Sequence, residues 1–303
     1  MDGFLVINKP KGWTSADVVN KIKRILKIKK AGHLGTLDPD ATGVLPVALG
    51  KATKVIPYIN EGDKGYKVVM KLGESTDTLD ASGKVIEKRE APPLDEEKIK
   101  RVFKEFTGKI FQIPPAYSAV KVNGVRAYEL ARRGEAVKLK PREVIIKDIN
   151  LIKVEMPYIT FDVLCSRGTY IRTLCQDIGE RLGTAAHMFS LVRTHSGRFR
   201  MDDSVNIDDI EKGDLSRIIS IDKALEFMPR ITIIPEAVEK IKNGMPAAAG
   251  WIKDASARFS SNEKVRIYSD NMLLAIGTAR YDSSHTGSLM AKEEVIKIER
   301  VMM

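Results

Sequence analysis

Strand-like and helix-like stretches follow one another along this 303-residue chain without the regular alternation that builds a doubly wound parallel sheet. The apolar run Gly3 to Asn8 reads as a strand, closed by Lys9-Pro10-Lys11-Gly12. Thr14 then caps a helix, with Asp17 three residues on and Val18, Val19, Ile22, Ile25 and Leu26 at helical spacing. Tyr66–Leu72 reads as a strand, and Ser82-Gly83 before Lys84-Val85-Ile86 suggests its hairpin partner. An amphipathic helix spans Asp95 to Phe106, with Ile99, Val102, Phe103 and Phe106 as its buried stripe. Val144–Met156, Ile159–Cys165 and Met188–Phe199 are strand-like, and TYIRTLCQDIGERLG between the last two is a helix ended by Gly183. An acidic connection from Asp202 to about Pro229 holds one helix, and the tail after it alternates short strand-like runs with polar turns. The order predicts an α+β protein. A mostly antiparallel central sheet flanked by helices occupies 1–228, and a small β-rich domain occupies 229–303.

At 43% hydrophobic residues the chain can build a sizeable core, which excludes global disorder. No apolar run approaches the ~18 residues of a membrane span, and the start has no charged-then-apolar leader pattern. Cys165 and Cys175 make neither a disulfide framework nor a metal cluster, so a reducing cytoplasm is the expected home. The formal net charge is +10, unevenly placed. Residues 1–60 carry 10 Lys/Arg against 4 Asp/Glu, and 100–147 carry 12 against 4. Two separated basic segments suit a polyanionic partner, and equally suit plain solvated loops. The segment 115–147, with an Asn123-Gly124 turn signal, is basic and weakly apolar and is expected to project from the core.

The stretch Gly32-His33-Leu34-Gly35-Thr36-Leu37-Asp38-Pro39-Asp40-Ala41-Thr42-Gly43 describes an ordered loop. Asp38 there is open to two readings, a turn residue capping amides or a reacting carboxylate. A calcium loop starting at Asp38 would put its glycine at Gly43, which fits, but its closing carboxylate at Leu49, which does not. No GxxxxGK[ST] phosphate loop and no nucleophile elbow occur. What remains is carboxylate chemistry without metal or cofactor, or no enzyme at all.

GHLGTLDPDATGVLPVALGKATK closely resembles the signature of the TruB-type tRNA pseudouridine synthases of bacterial type. LVINKPKGWTS before it, and KGYKVVMKLGESTDTLDASG, IPPAYSAVKVNGVRAYELARRG and CSRGTYIRTLCQDIGERLGTAAHMFSLVRTHSGRF after it, extend the resemblance over most of the chain. It implies the pseudouridine-synthase fold with a PUA-like RNA-binding tail, and isomerisation of the uridine at position 55 in the T arm of tRNA. Asp38 matches the catalytic aspartate and Arg172 the arginine that pairs with it. Tyr66 matches the tyrosine stacking on the target base, Tyr170 a second aromatic at the pocket, and Leu191 an apolar residue at its floor. His33 matches the histidine inserted into the RNA when the uridine is extruded. Lys9 and Pro10 match a shared turn at the site wall. Lys9 is also a candidate RNA contact, with Lys121, Arg126, Arg132 and Arg133 of the basic insertion, the family's thumb. One departure stands out: Leu34 replaces a small hydroxyl residue, which removes any hydrogen bond from that position.

The resemblance also implies no cofactor, no metal, no membrane and no guide RNA, with tRNA as partner and a monomer expected. Two other readings share the basic surfaces. One is an RNA-binding or tRNA-folding protein without isomerase activity; the other is the catalytic subunit of a guide-RNA particle, for which the tail is short.

Overall fold

The computed structural model describes residues 1–59, 62–135, 137–255 and 258–302. The chain opens with β1 (Gly3–Lys9), α1 (Ser15–Ile25), β2 (Ala31–His33), β3 (Thr42–Leu49) and β4 (Lys64–Leu72). A ribbon of β5 (Glu74–Thr76) and β6 (Val85–Lys88) leads to α2 (Glu96–Phe106) and β7 (Gly108–Gln112). A surface hairpin of β8 (Lys121–Val122) and β9 (Val125–Arg126) precedes the short α3 (Ala127–Arg132). Then come β10 (Arg142–Glu155), β11 (Tyr158–Cys165), α4 (Ile171–Leu182) and β12 (Ala186–Ser196). The connection contains β13 (Phe199–Arg200), β14 (Ser204–Val205), α5 (Ile207–Glu211) and α6 (Ile221–Ala224).

Among the described residues the main sheet runs β14-β1-β3-β12-β4-β11-β10-β7, with β2 on β3 and β13 on β12. Its pairs are antiparallel except β1 with β14 and β3 with β12. Strand alternation sorts the core. From β1, Leu5 and Ile7 join Val18 and Ile22 of α1, Ile99 and Phe103 of α2, and Leu174 and Ile178 of α4 in one apolar cluster. Phe4 and Val6 join a second cluster with Leu34, Val44, Val55 and Phe199.

The tail forms its own sheet from β15 (Arg230–Ile233), β16 (Ala247–Ala248), β17 (Ile252–Asp254), β18 (Lys264–Ser269), β19 (Met272–Ala279) and β20 (Glu294–Val301), with the helix α7 (Val238–Lys242). Ile231, Ile267, Leu274 and Val295 pack inside it. It is also seated on the body of the main sheet, because Ile276 and Met302 are members of the Phe4–Leu34 cluster.

Thr14 caps α1 with both bonds of a capping box, Gly183 closes α4 in the left-handed conformation, and Asn123-Gly124 turns the hairpin with φ of 51° and 86°. Three sequence expectations need correction. β6 pairs with β5 rather than with β4, whose neighbours are β11 and β12. Tyr66, Val68, Met70 and Leu72 need long buried partners, and the four-residue β6 is exposed throughout. The run from Met188 to Phe199 breaks at Gly197 into β12 and β13, and the acidic connection holds two short helices rather than one.

Candidate active site

The loop between β2 and β3 is held by buried side chains from three other places in the chain. The fully buried Lys9 ammonium donates to the carbonyls of Pro10 (2.9 Å), Pro39 (2.8 Å) and Trp13. The Ser15 hydroxyl accepts from the Leu37 N–H at 2.9 Å and donates to the Leu37 carbonyl at 3.2 Å. The Arg193 guanidinium, also fully buried, donates to the carbonyls of Val44 (2.7 Å), Gly35 (3.0 Å) and Thr36 (3.4 Å). Gly43 lies beside Arg193 with φ of 98°, and a Cβ there would sit 2.3 Å from the Arg193 carbonyl oxygen, so only glycine fits. The frame presents Asp38 at the turn, its carbonyl accepting from the Ala41 N–H at 3.1 Å.

The first turn of α4 brings Arg172 against this loop. Its Nε lies 3.1 Å from Asp38 Oδ2 and its Nη2 3.3 Å from Oδ1, a two-point pair that fixes the direction of the carboxylate. The other donors are used as well. Nη1 donates to the Thr78 carbonyl at 3.1 Å and lies 3.6 Å from Asp80 Oδ2, and Nη2 donates to the Tyr117 carbonyl at 2.9 Å. Asp80 Oδ1 is occupied by Thr78 and Ser82, which leaves Oδ2 to the arginine. One guanidinium thus joins the signature loop, the segment after β5 and the root of the basic insertion.

The Arg172 side chain is 8% exposed and that of Asp38 38%, so the carboxylate stays reachable while its partner is sealed. Burial pushes the Asp38 carboxyl above the usual carboxylate range; Arg172 acts against this, and the neighbouring Asp80 adds to it. A carboxylate of raised basicity, aimed by a two-point cation, suits proton abstraction or nucleophilic attack.

Tyr66 of β4 faces Arg193 of β12 across the sheet, and Leu191 faces Val68 on the same side. Burial pushes the Tyr66 hydroxyl up to about 12 against the pull of the nearby Arg193, so the phenol stays neutral. Tyr170 immediately precedes α4, and its backbone is bonded both ways to the Gln112 amide. His33 ends β2 opposite Val47. Asp38 and Arg172 therefore meet at the loop, Tyr170 stands two residues before Arg172 at the start of α4, and Tyr66 with Leu191 lies on the helix-covered face of the sheet.

Lys9 is corrected as an RNA contact: it has no exposure, three carbonyls surround its ammonium, and burial pulls its amine down to about 8. Leu34 is 1% exposed and packs against the second apolar cluster, so this position faces the core and not an RNA. Lys121 and Arg126 pair across the surface hairpin. Arg126 and Arg132 stand 5.9 Å and 5.5 Å from the centre of the Tyr128 ring, and Arg133 lies 3.9 Å from Glu135. These four side chains lie outside the Asp38 cluster. Sequence reasoning assigned no role to Thr78, Asp80, Gln112, Tyr117 or Arg193. Asp80 stands in a quoted motif, and Arg193 is a charge at an inward position of a strand, a signal that its register exposes.

A family model described as "TruB family pseudouridylate synthase (N terminal domain)" matches residues 23–171, and "tRNA pseudouridylate synthase B C-terminal domain" matches 172–223. The chain belongs to the TruB family of pseudouridylate synthases. It is accordingly an isomerase that makes pseudouridine in RNA. TruB relatives include the tRNA pseudouridine synthase B of Clostridium tetani, 42% identical over 91% of this chain and 95% of that protein. That of Clostridium perfringens is 44% identical with the same coverage, and that of Geobacter sulfurreducens is 40% identical over 91% and 93%. Among solved structures, a Cbf5-Nop10-Gar1 complex contains a chain that superposes with a TM-score of 0.74 at 32% identity, covering 99% of this TruB chain and 85% of that one.

Proposed function

We propose that this TruB-family chain isomerises uridine 55 in the T arm of tRNA, working without guide RNA, with Asp38 as the reacting carboxylate. The observation that carries the reading is the two-point Asp38–Arg172 pair on a loop fixed by Lys9, Ser15 and Arg193. The choice of tRNA rests on relatives named tRNA pseudouridine synthase B, matched over 93–95% of their length.

Isomerisation breaks the bond from C1′ to N1, turns the base and joins C1′ to C5; C5 then gives up its hydrogen as a proton to solvent and N1 ends protonated. A carboxylate serves by attacking C1′ or the base, or by taking the C2′ proton to pass through a glycal; both routes need Asp38 ionised. Arg172 supplies that charge state and the direction of attack. A uridine held in the folded T arm must be extruded first, with His33 filling the vacated place and Tyr66 and Tyr170 receiving the base above Leu191. Lys121, Arg126, Arg132 and Arg133 grip phosphates, and the tail sheet is a PUA-like second RNA-binding body. The guide-RNA reading is less well supported, since the superposing chains of the Cbf5 complexes are 30–32% identical, against 40–44% for the relatives named tRNA pseudouridine synthase B.

Tritium release from a T-arm transcript carrying 5-tritiated uridine, with no other RNA present, tests the reading. Rapid release by the parent and none by Asp38→Asn is expected. Equal release by both, or a requirement for added guide RNA, would overturn it.

A further inference from the structure

Helix α4 carries Arg172 and has Tyr170 as its N-cap, yet no side chain of its own caps it. The cap is supplied from β7, the last strand of the main sheet. Gln112 is the final paired residue of that strand, bonded in register to Arg142, and its side chain is 1% exposed. A buried amide must place both its donor and its acceptor. Gln112 places both on one residue: Oε1 accepts from the Tyr170 N–H at 3.0 Å, and Nε2 donates to the Tyr170 carbonyl at 3.3 Å. Immediately after Gln112 the chain turns into the root of the basic insertion and bonds to α4 twice more. The Thr173 hydroxyl donates to the Ile113 carbonyl at 3.3 Å, and Arg172 Nη2 donates to the Tyr117 carbonyl at 2.9 Å.

We infer that Gln112 is a positioning residue for the isomerase reaction, setting where α4 begins so that Arg172 meets both oxygens of Asp38. Neither a glutamate nor a shorter amide at 112 reproduces the arrangement. A glutamate accepts from the Tyr170 N–H but has no donor for the Tyr170 carbonyl, and an asparagine falls one methylene short. The inference rests on the reading of Asp38 and Arg172 as the reacting pair. It also makes the root of the basic insertion and the reacting pair one bonded unit, so that load on the insertion is felt at Arg172.

The test is single-turnover tritium release by Gln112→Met and Gln112→Asn across pH, beside Asp38→Asn and a filter-binding measurement of affinity for the same transcript. The charged groups acting on Asp38 are Arg172 and Lys9, which favour its ionised form, and Asp80 and Asp40, which oppose it. A displaced Arg172 weakens the largest of the favourable influences. Both variants are expected to lose rate, about 10- to 100-fold for methionine and less for asparagine, with transcript affinity within about threefold. The acid limb of the rate profile should move to higher pH, a change that a helix cap of purely structural importance would not produce. An unmoved acid limb in both variants, whatever the rate, would overturn the inference. If methionine prevents folding, asparagine carries the same test. Should Asp38→Asn itself remain active, the underlying reading fails; an inactive Asp38→Asn beside parent-like Gln112 variants sinks the inference alone.

Discussion

The cations around Asp38 and those on the surface hairpin look alike in the sequence and are used in opposite ways. Lys9, Arg172 and Arg193 are buried and direct their N–H groups to backbone carbonyls and to one carboxylate pair. Lys121, Arg126, Arg132 and Arg133 keep their charge on or near the surface, two of them against the Tyr128 ring. Removing an ammonium or guanidinium from water costs several kcal/mol, and only a full set of acceptors offsets it. A buried cation therefore specifies one loop conformation, whereas an exposed one contributes long-range attraction that salt can screen. The net charge of +10 consequently overstates the charge that a polyanion meets.

The sharpest way to break this contrast is to remove what the buried cations hold. Asp38→Asn should lower single-turnover tritium release by on the order of 10⁴-fold. Its melting temperature at neutral pH should stay within about 3 °C of the parent. Burial raises the folded-state pKa of this carboxyl above its unfolded value, so the native state binds the extra proton and stability falls as pH rises through that window. Above the window the ionised group disfavours folding, and an uncharged amide does not. A large thermal loss would instead make Asp38 structural.

Next in size, Arg172→Ala should cost roughly 10²- to 10³-fold in turnover, with RNA affinity little changed. Its acid limb should move to higher pH, because Arg172 is what draws the Asp38 carboxyl down. Equal losses in turnover and affinity would place Arg172 among the RNA contacts instead. Lys9→Met should destabilise the protein by about 2–3 kcal/mol in chemical unfolding, since it takes the ammonium from the carbonyls of Pro10, Trp13 and Pro39, of which Pro39 keeps the Gly12 N–H. It should leave the salt dependence of RNA binding unaltered; a shallower slope would return Lys9 to the RNA side of the comparison. The smallest effects belong to the hairpin. Alanine at Lys121, Arg126, Arg132 or Arg133 should each reduce the salt slope of binding by about 0.7–0.9 and shift stability by no more than about 0.5 kcal/mol. A hairpin variant with an unchanged slope makes no phosphate contact.

Periodicity located most elements because α1, α2 and the strands β4, β10 and β11 each turn one face to the core, the condition under which pattern follows burial. It failed at β6, where nothing is buried and only pairing decides, and at Gly197, where one turn interrupts an otherwise continuous apolar run. Asp38 and Arg172 were legible through their motifs. Gln112 was not, because a buried glutamine on a strand looks like any polar strand residue until its partner, 58 positions away, is in place. Arg193 was hidden for the same reason, as its acceptors lie about 150 residues upstream. Leu34 was legible only as a lost hydrogen bond, and its place in an apolar cluster shows what the side chain does instead.

That inward turn has a consequence for inheritance. Leu34, one residue from His33, shares its apolar cluster with Ile276 and Met302 of the tail sheet. Lys54 bonds to the Val301 carbonyl, and Arg266 to that of Met228, across the same seam. The tail thus completes the apolar cluster to which the signature loop's Leu34 belongs, as well as being a second body. A tail grafted from another family member would have to fill the same apolar cluster or leave a void in it, so a chimaera must match this seam as well as fold.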